Sequence, residues 1–170
     1  MPDSIVWQSN QSGWILNDLE ETIEFGERLS NSLQNAKIVL IDGPLGSGKT
    51  SLVKGFAKGL GIIEPITSPT FSLAQHYLEG QRALIHVDLY RLENPKAAND
   101  LFFQEEEEAT SLQALMMIEW PSRLGINLEE AWNIKLHYWS QTKRLVQLRE
   151  PFADDKNSST SSCFSSRPIV

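Results

Sequence analysis

In "KIVLIDGPLGSGKTSLVKGFAKGLG", Lys37 to Gly61, three structural signals follow one another without a gap. "KIVLID" is short, apolar and β-branched, the pattern of a strand buried on both faces. "GPLGSGKT", Gly43 to Thr50, fits G-x-x-x-x-G-K-[ST] position for position. "TSLVKGFAKGLG" then turns Leu52, Val53, Phe56, Ala57 and Leu60 to one side at helical spacing. Gly61 supplies a left-handed residue to end that helix. A strand, a glycine loop and a helix in this order make a phosphate cradle at a helix N-terminus.

Each residue of the loop has a mechanical reason to be there. Gly43, Gly46 and Gly48, with Ser47 between the last two, let the backbone bend tightly and aim N–H groups inward. Lys49 brings a mobile ammonium to the β and γ phosphates of a nucleotide, and the Thr50 hydroxyl can ligate magnesium. Ser51 adds a second hydroxyl. Pro44 removes one N–H from the loop at a point where the chain turns away from the phosphates. The plain alternative is a glycine-rich turn that happens to include Lys-Thr; the strand before it and the helix after it weigh against that.

Such a loop needs an acidic group across the site, at the end of a neighbouring strand. "ALIHVDLYRL" places His86, Asp88 and Tyr90 on one strand face, and "LMMIEW" ends an apolar run at Glu119. Either acid could instead face water, and His86 with Asp88 could form two ligands of a metal site that lacks a visible third. "SPTF", Ser68 to Phe71, puts hydroxyls between the loop helix and the next strand, where a segment sensing the γ-phosphate would sit; an ordinary proline turn is the equal alternative.

Around this centre, a short strand is expected near Ile5 to Trp7. A helix follows over "NDLEETIEFGERLSNSL", with Asn17 and Glu20 as its capping box and Leu19, Ile23, Gly26, Leu29 and Leu33 as its inner face. "FSLAQHYL" and "RALIHVDLY" read as a hairpin turned at Glu79-Gly80, "PKAANDLFFQEEEEA" as a helix, and "WNIKLHYW" with "RLVQLRE" as a C-terminal hairpin joined by "SQTK". The expected fold is a three-layer α/β, P-loop NTPase-like domain with a mixed central sheet over residues 1–152. Residues 153–170 are serine-rich and nearly without apolar residues, a disordered tail. Glu105 to Glu108 reads as a solvated helix face, Trp132 and Trp139 as packing residues of the hairpin, and His76 and His137 as structural.

Composition narrows the function classes. A chain of 170 residues with net charge −7 opposes loose binding to polyanions and makes a dedicated nucleic-acid-binding domain a poor fit. The one cysteine, Cys163, has no thiol partner, which fits a reducing, cytoplasmic setting. The N-terminal stretch has neither the charge nor the apolar run of an export signal, and no segment is long and apolar enough to span a membrane.

Four motifs stand in order: "GPLGSGKTSL", "SPTF", "HVDLYRL" and "IEWP". Together, from about Ile5 to Arg149, they resemble the bacterial TsaE (YjeE) family. The resemblance implies an ATPase, slow alone, that works with TsaB and TsaD to make threonylcarbamoyladenosine beside the anticodon of certain tRNAs. ATP would drive or reset that complex rather than phosphorylate a substrate, and tRNA would be met only through the complex. It implies ATP and Mg2+ as ligands, with Lys49 and Thr50 in the phosphate and magnesium roles. Glu119 would join the magnesium shell, Asp88 would support hydrolysis, and Trp120 would lie near the nucleotide. Ser68, Pro69 and Thr70 would form a switch-like loop, and Arg91 would serve either the nucleotide or a partner. Two positions depart from the family pattern: Pro44 stands where an acidic residue is usual, and Ser51 where a second threonine is usual. The rivals are a small-molecule P-loop kinase, disfavoured by the lack of an arginine-rich lid segment, and an adaptor whose ATP only orders a binding surface. A GTPase is disfavoured because no Asn-Lys-x-Asp sequence exists.

Overall fold

The structure, a computed structural model, describes residues 6–8 and 13–152. Ile5, Cys163 and the serine-rich tail lie outside the described residues. Eight strands form one sheet in the order β1-β2-β8-β7-β3-β6-β5-β4. These are β1 (Val6–Gln8), β2 (Gly13–Leu16), β3 (Ile38–Asp42), β4 (Ala74–Tyr77), β5 (Leu84–Asp88), β6 (Leu115–Glu119), β7 (Trp132–Tyr138) and β8 (Arg144–Arg149). The central strands β5, β6, β3 and β7 run parallel, while β4 and the β7-β8-β2-β1 wing are antiparallel. Both expected hairpins form, and β2 is an additional strand that the sequence reading lacked.

Helices α1 (Leu19–Ser32) and α2 (Lys49–Gly59) share one face of the sheet; α3 (Pro95–Leu112) lies on the other. Alternation along β3 shows why both faces need cover: Val39 and Ile41 join Phe25, Leu29, Leu52 and Phe56 on one side, and Leu40 joins Ile85, Phe102 and Ile118 on the other. Strands β5 and β6 are buried at every position, as parallel strands between helical layers are. Arg82 ties the ends of two layers together by donating to the carbonyls of Gln34, just beyond α1, and of Gln113 and Ala114, at the end of α3. Gln113 is the C-cap of α3, and its carbonyl is one that helix geometry leaves without a partner.

Four expectations are corrected. The N-cap of α1 is Asp18, whose carboxylate accepts from Glu21 N–H at 2.8 Å, with Glu21 reaching back to Asn17 N–H at 2.7 Å. The capping box therefore sits one residue later than Asn17 and Glu20, because Asn17 is still engaged ahead of the first helical turn. Gly26, Leu29 and Leu33 are buried on the inner face of α1 as expected and Ile23 is half-buried, but Phe25 and Thr22 also belong to that face and Leu19 is 49% exposed. The start of the helix lies at the mouth of a cavity, where a side chain can line a site without entering the core. Glu105 is only 5% exposed: its carboxylate meets His76 Nε2 at 2.6 Å, so it turns toward β4, while Glu106 is half-buried and Glu107 and Glu108 face outward. Of the hairpin tryptophans, Trp132 packs on the core, whereas Trp139 is largely exposed at the strand end.

Candidate functional site

Register brings the chemistry together. Ile41 of β3 pairs with Glu119 of β6, and Glu119 pairs with Asp88 of β5. Three adjacent parallel strands therefore end side by side, one leading into the glycine loop and the other two in carboxylates, at the edge where open α/β sheets hold ligands. Both carboxylates lie on the sheet face that carries α2, because Glu119 alternates with Leu115 and Met117, and Asp88 with Leu84 and His86.

The loop has a backbone that only glycine accepts comfortably. Gly46 and Gly48 have φ of 74° and 100°, and Gly48 is the left-handed residue from which α2 starts without a side-chain cap. At Gly43 a Cβ would stand 2.6 Å from the Leu136 carbonyl, so the loop lies directly against β7. Lys49 is 5% exposed and folds back over the loop. Its ammonium donates to the carbonyls of Gly43 and Pro44 at 2.9 Å each and stands 3.9 Å from the centre of the Trp120 ring. An ammonium has three N–H donors, so a third is left for an anion. Burial lowers the Lys49 pKa from its ordinary 10.5, and the charges of Glu119, Asp88 and Asp42 pull it back up. Pro44, which lacks an N–H, acts through its carbonyl, which also accepts from Ser47 N–H at 3.2 Å.

The two carboxylates have different partners. Glu119 Oε1 accepts from Thr50 Oγ1 at 2.8 Å and lies 2.9 Å from His86 Nε2. Asp88 Oδ2 accepts from Ser68 Oγ at 2.8 Å and Thr70 Oγ1 at 2.6 Å, while Oδ1 accepts from Tyr90 N–H at 3.0 Å. The "SPT" hydroxyls are thus fastened to the end of β5. The His86–Asp88 pairing considered as a metal site does not form: His86 is fully buried and turned to Glu119. Trp120 has φ of 61°, an unfavourable conformation for a bulky residue directly before a proline, and costs of about 1–3 kcal/mol for such backbones concentrate at functional sites. Its ring packs on Tyr90, centroids 5.0 Å apart.

A cavity of about 370 Å³ opens between these groups, walled by Gly46, Gly48, Lys49, Thr50, Ser51, Ser68, Thr70, Asp88, Glu119 and Trp120 together with Leu19, Leu45 and Tyr90. Gly43, Ser47 and Pro69 lie behind the wall. Arg91 stacks on Phe71, 4.0 Å from the ring centre, and is not on the wall. A larger cleft of about 590 Å³ runs under β7 and β8, with Leu40, Leu124, Ile126 and Leu128 among its lining. It lacks the glycine loop and both buried carboxylates, so the smaller cavity is the candidate site. The donor set fits a nucleotide with magnesium: a glycine cradle at a helix start, a buried ammonium, and a hydroxyl beside a carboxylate, which are hard oxygen ligands. The buried Ser47 Oγ, without a hydrogen-bond partner, sits inside the same loop. Leu19 and Tyr138, whose hydroxyl donates to the Leu45 carbonyl at 2.7 Å, were missed as site neighbours because no motif marks them, and Leu45 because it fills a variable position of the loop motif.

Comparison with known proteins bears on the family and the fold. The family model for threonylcarbamoyl adenosine biosynthesis protein TsaE matches residues 16–146. The chain is 38% identical to the tRNA threonylcarbamoyladenosine biosynthesis protein TsaE of Nostoc sp., over 78% of this chain and 82% of that protein. It is 40% identical to the Synechocystis sp. protein of the same name, over 68% and 73%. Among solved structures, Bacillus subtilis YdiB aligns with a TM-score of 0.61 at 24% identity, covering 82% of this chain and 85% of that one, which shows the shared fold. The glycine loop, the Ser68–Asp88 contact and Glu119 with Trp120 all fall inside the matched span, and the chain belongs to the TsaE family.

Proposed function

We propose that this protein is a P-loop ATPase that takes part in making threonylcarbamoyladenosine in tRNA, working with TsaB and TsaD homologues. The names of its relatives support the pathway. The observation that carries the chemistry is the hydrogen bond between Thr50 Oγ1 and Glu119 Oε1 beside the Lys49 ammonium, which assembles a metal-and-phosphate corner from two segments 69 residues apart.

In this reading the loop N–H groups and Lys49 bind and orient the β and γ phosphates, and Thr50 and Glu119 hold magnesium. Magnesium, when bound, neutralises phosphate charge and polarises the γ-phosphoryl group. His86 keeps the Glu119 carboxylate turned toward Thr50 from behind. Asp88 anchors Ser68 and Thr70 at the opposite wall, so that the loop between α2 and β4 follows what happens at the γ-phosphate position. Trp120 and Tyr90 form the aromatic side of the cavity. ATP turnover then serves to drive or reset the partner complex.

The decisive experiment combines the purified protein with its TsaB and TsaD homologues and measures ATP turnover and repeated rounds of tRNA modification. Turnover is expected to rise on mixing, and repeated modification to require hydrolysable ATP. Modification at full rate without ATP, or transfer of the γ-phosphate to a small metabolite, would sink the proposal. For the metal corner, Glu119→Gln retains the side chain's shape and removes its charge. It is expected to lower turnover by roughly a hundredfold and to raise the magnesium concentration needed for half-maximal activity. An unchanged magnesium titration would remove Glu119 from that role.

A further inference from the structure

Arg144, at the start of β8, lies 97 residues along the chain from Ser47 of the glycine loop and reaches its carbonyl. The residue is 7% exposed. Its Nε donates to the Ser47 carbonyl at 3.2 Å and its Nη2 to the Gly46 carbonyl at 3.4 Å. Nη1 donates to the carbonyls of Gln141 and Lys143, at 3.4 and 3.1 Å, within its own hairpin turn. The Tyr138 ring lies 4.5 Å from the guanidinium, and the Tyr138 hydroxyl donates to the Leu45 carbonyl. The carbonyls of Leu45, Gly46 and Ser47, three in succession, are therefore held by two side chains of the β7–β8 hairpin.

The charge balance is the informative part. A buried guanidinium ordinarily has a carboxylate partner, because removing its charge from water is costly. Among the described residues none of the ion pairs includes Arg144, and its hydrogen-bond acceptors are neutral carbonyls. Each carbonyl shares a peptide unit with the following N–H, so the three held carbonyls belong with the N–H groups of Gly46, Ser47 and Gly48, of which that of Ser47 also donates to the Pro44 carbonyl. A cation bound to the carbonyl end polarises the unit and strengthens its N–H as a donor. The uncompensated charge also adds directly to the positive potential of the loop.

Resting on the reading of this loop as a nucleotide-phosphate site, we propose that Arg144, braced by Tyr138, is a positioning residue for that site. It fixes the outer carbonyls of the loop and biases the inner N–H groups toward polyanionic phosphate. The β7–β8 hairpin is then part of the phosphate-binding apparatus rather than only the wing of the sheet.

The test is a ligand-charge series. AMP, ADP and ATP are titrated against the full-length wild-type protein and against Arg144→Gln, Arg144→Lys and Tyr138→Phe, with thermal midpoints measured alongside. Arg144→Gln is expected to weaken ATP binding about tenfold or more. The loss should be smaller for ADP and least for AMP, because the effect acts on phosphate charge. Arg144→Lys, which keeps the charge, is expected to recover most of the ATP affinity, and Tyr138→Phe to lose about two- to fivefold for ATP. An equal loss across all three nucleotides would show a merely structural role and overturn the proposal, as would unchanged ATP affinity. Should Arg144→Gln fail to fold, the same series on Arg144→Lys and Tyr138→Phe decides the matter. If the wild-type protein binds none of the three nucleotides, the phosphate-site reading itself falls; if it binds them and the variants show no charge gradient, only the role of Arg144 falls.

Discussion

Lys49→Ala is expected to abolish ATP turnover, by at least a hundredfold, in the purified protein and in its complex with partners. The ammonium is held by the loop carbonyls of Gly43 and Pro44 near two buried carboxylates, and among the described residues it is the only cation lining the cavity. Removing it takes away a phosphate donor and leaves Glu119 and Asp88 facing an incoming polyanion without compensation. The loss should fall on both nucleotide affinity and turnover, and wild-type turnover would refute the site. A second measurement follows from the lowered Lys49 pKa. A cation held below its usual 10.5 in the folded state means that the unfolded chain binds more protons between the lowered value and 10.5. Stability from this residue therefore rises with pH across that alkaline window and is lost as pH falls through the folded value. The stability of wild type relative to Lys49→Ala should increase toward pH 10.5, as urea denaturation at a series of pH values would show.

Gly55→Ala is expected to destabilise the fold by about 2–4 kcal/mol, against what helix propensity alone suggests. In an exposed helix interior, alanine in place of glycine is favourable by roughly 0.5–1 kcal/mol. Here α1 and α2 cross with glycine against glycine. A Cβ on Gly55 would press on the Ile23 carbonyl and stand 2.9 Å from Glu27 N and from the Gly26 Cα. A Cβ on Gly26 would lie 2.5 Å from the Leu52 carbonyl. These neighbours are backbone atoms that cannot rotate away, so the two helices must separate and loosen Phe25, Leu29 and Phe56 beneath them. Urea denaturation gives the sign directly: a midpoint equal to or above wild type would mean that the crossing can relax. Because α2 begins at Lys49, a shifted helix would also displace the phosphate loop, and ATP binding should weaken alongside stability.

The legibility of this molecule follows the range of its interactions. "KIVLID", the glycine loop and "TSLVKGFAKGLG" could be read because each rests on neighbours a few residues away: strand burial, positive φ at glycine, helical spacing and the Gly61 terminator. Glu119 and Asp88 could be nominated because an apolar strand ending in an acid is itself a local pattern. The shift of the α1 cap from Asn17 to Asp18 turned on one residue of register, for which both residue types are competent. Glu105 looked like its three acidic neighbours because nothing in the run shows that His76, 29 positions away, is opposite it.

Local chemistry along the chain determined the phosphate loop, its flanking strand and helix, both hairpins and the pair of candidate acids, since each depends on short-range sterics and periodicity. Only the tertiary structure decided which acid serves which group. Pairing of β5, β6 and β3 sets Glu119 beside Thr50 and Asp88 beside Ser68 and Thr70. It also brought Arg144 and Tyr138 to the back of the loop, a contact that no nearby residue encodes. Strand register and layer packing are collective results of burying both sheet faces at once, so these partners become fixed only when the whole sheet closes.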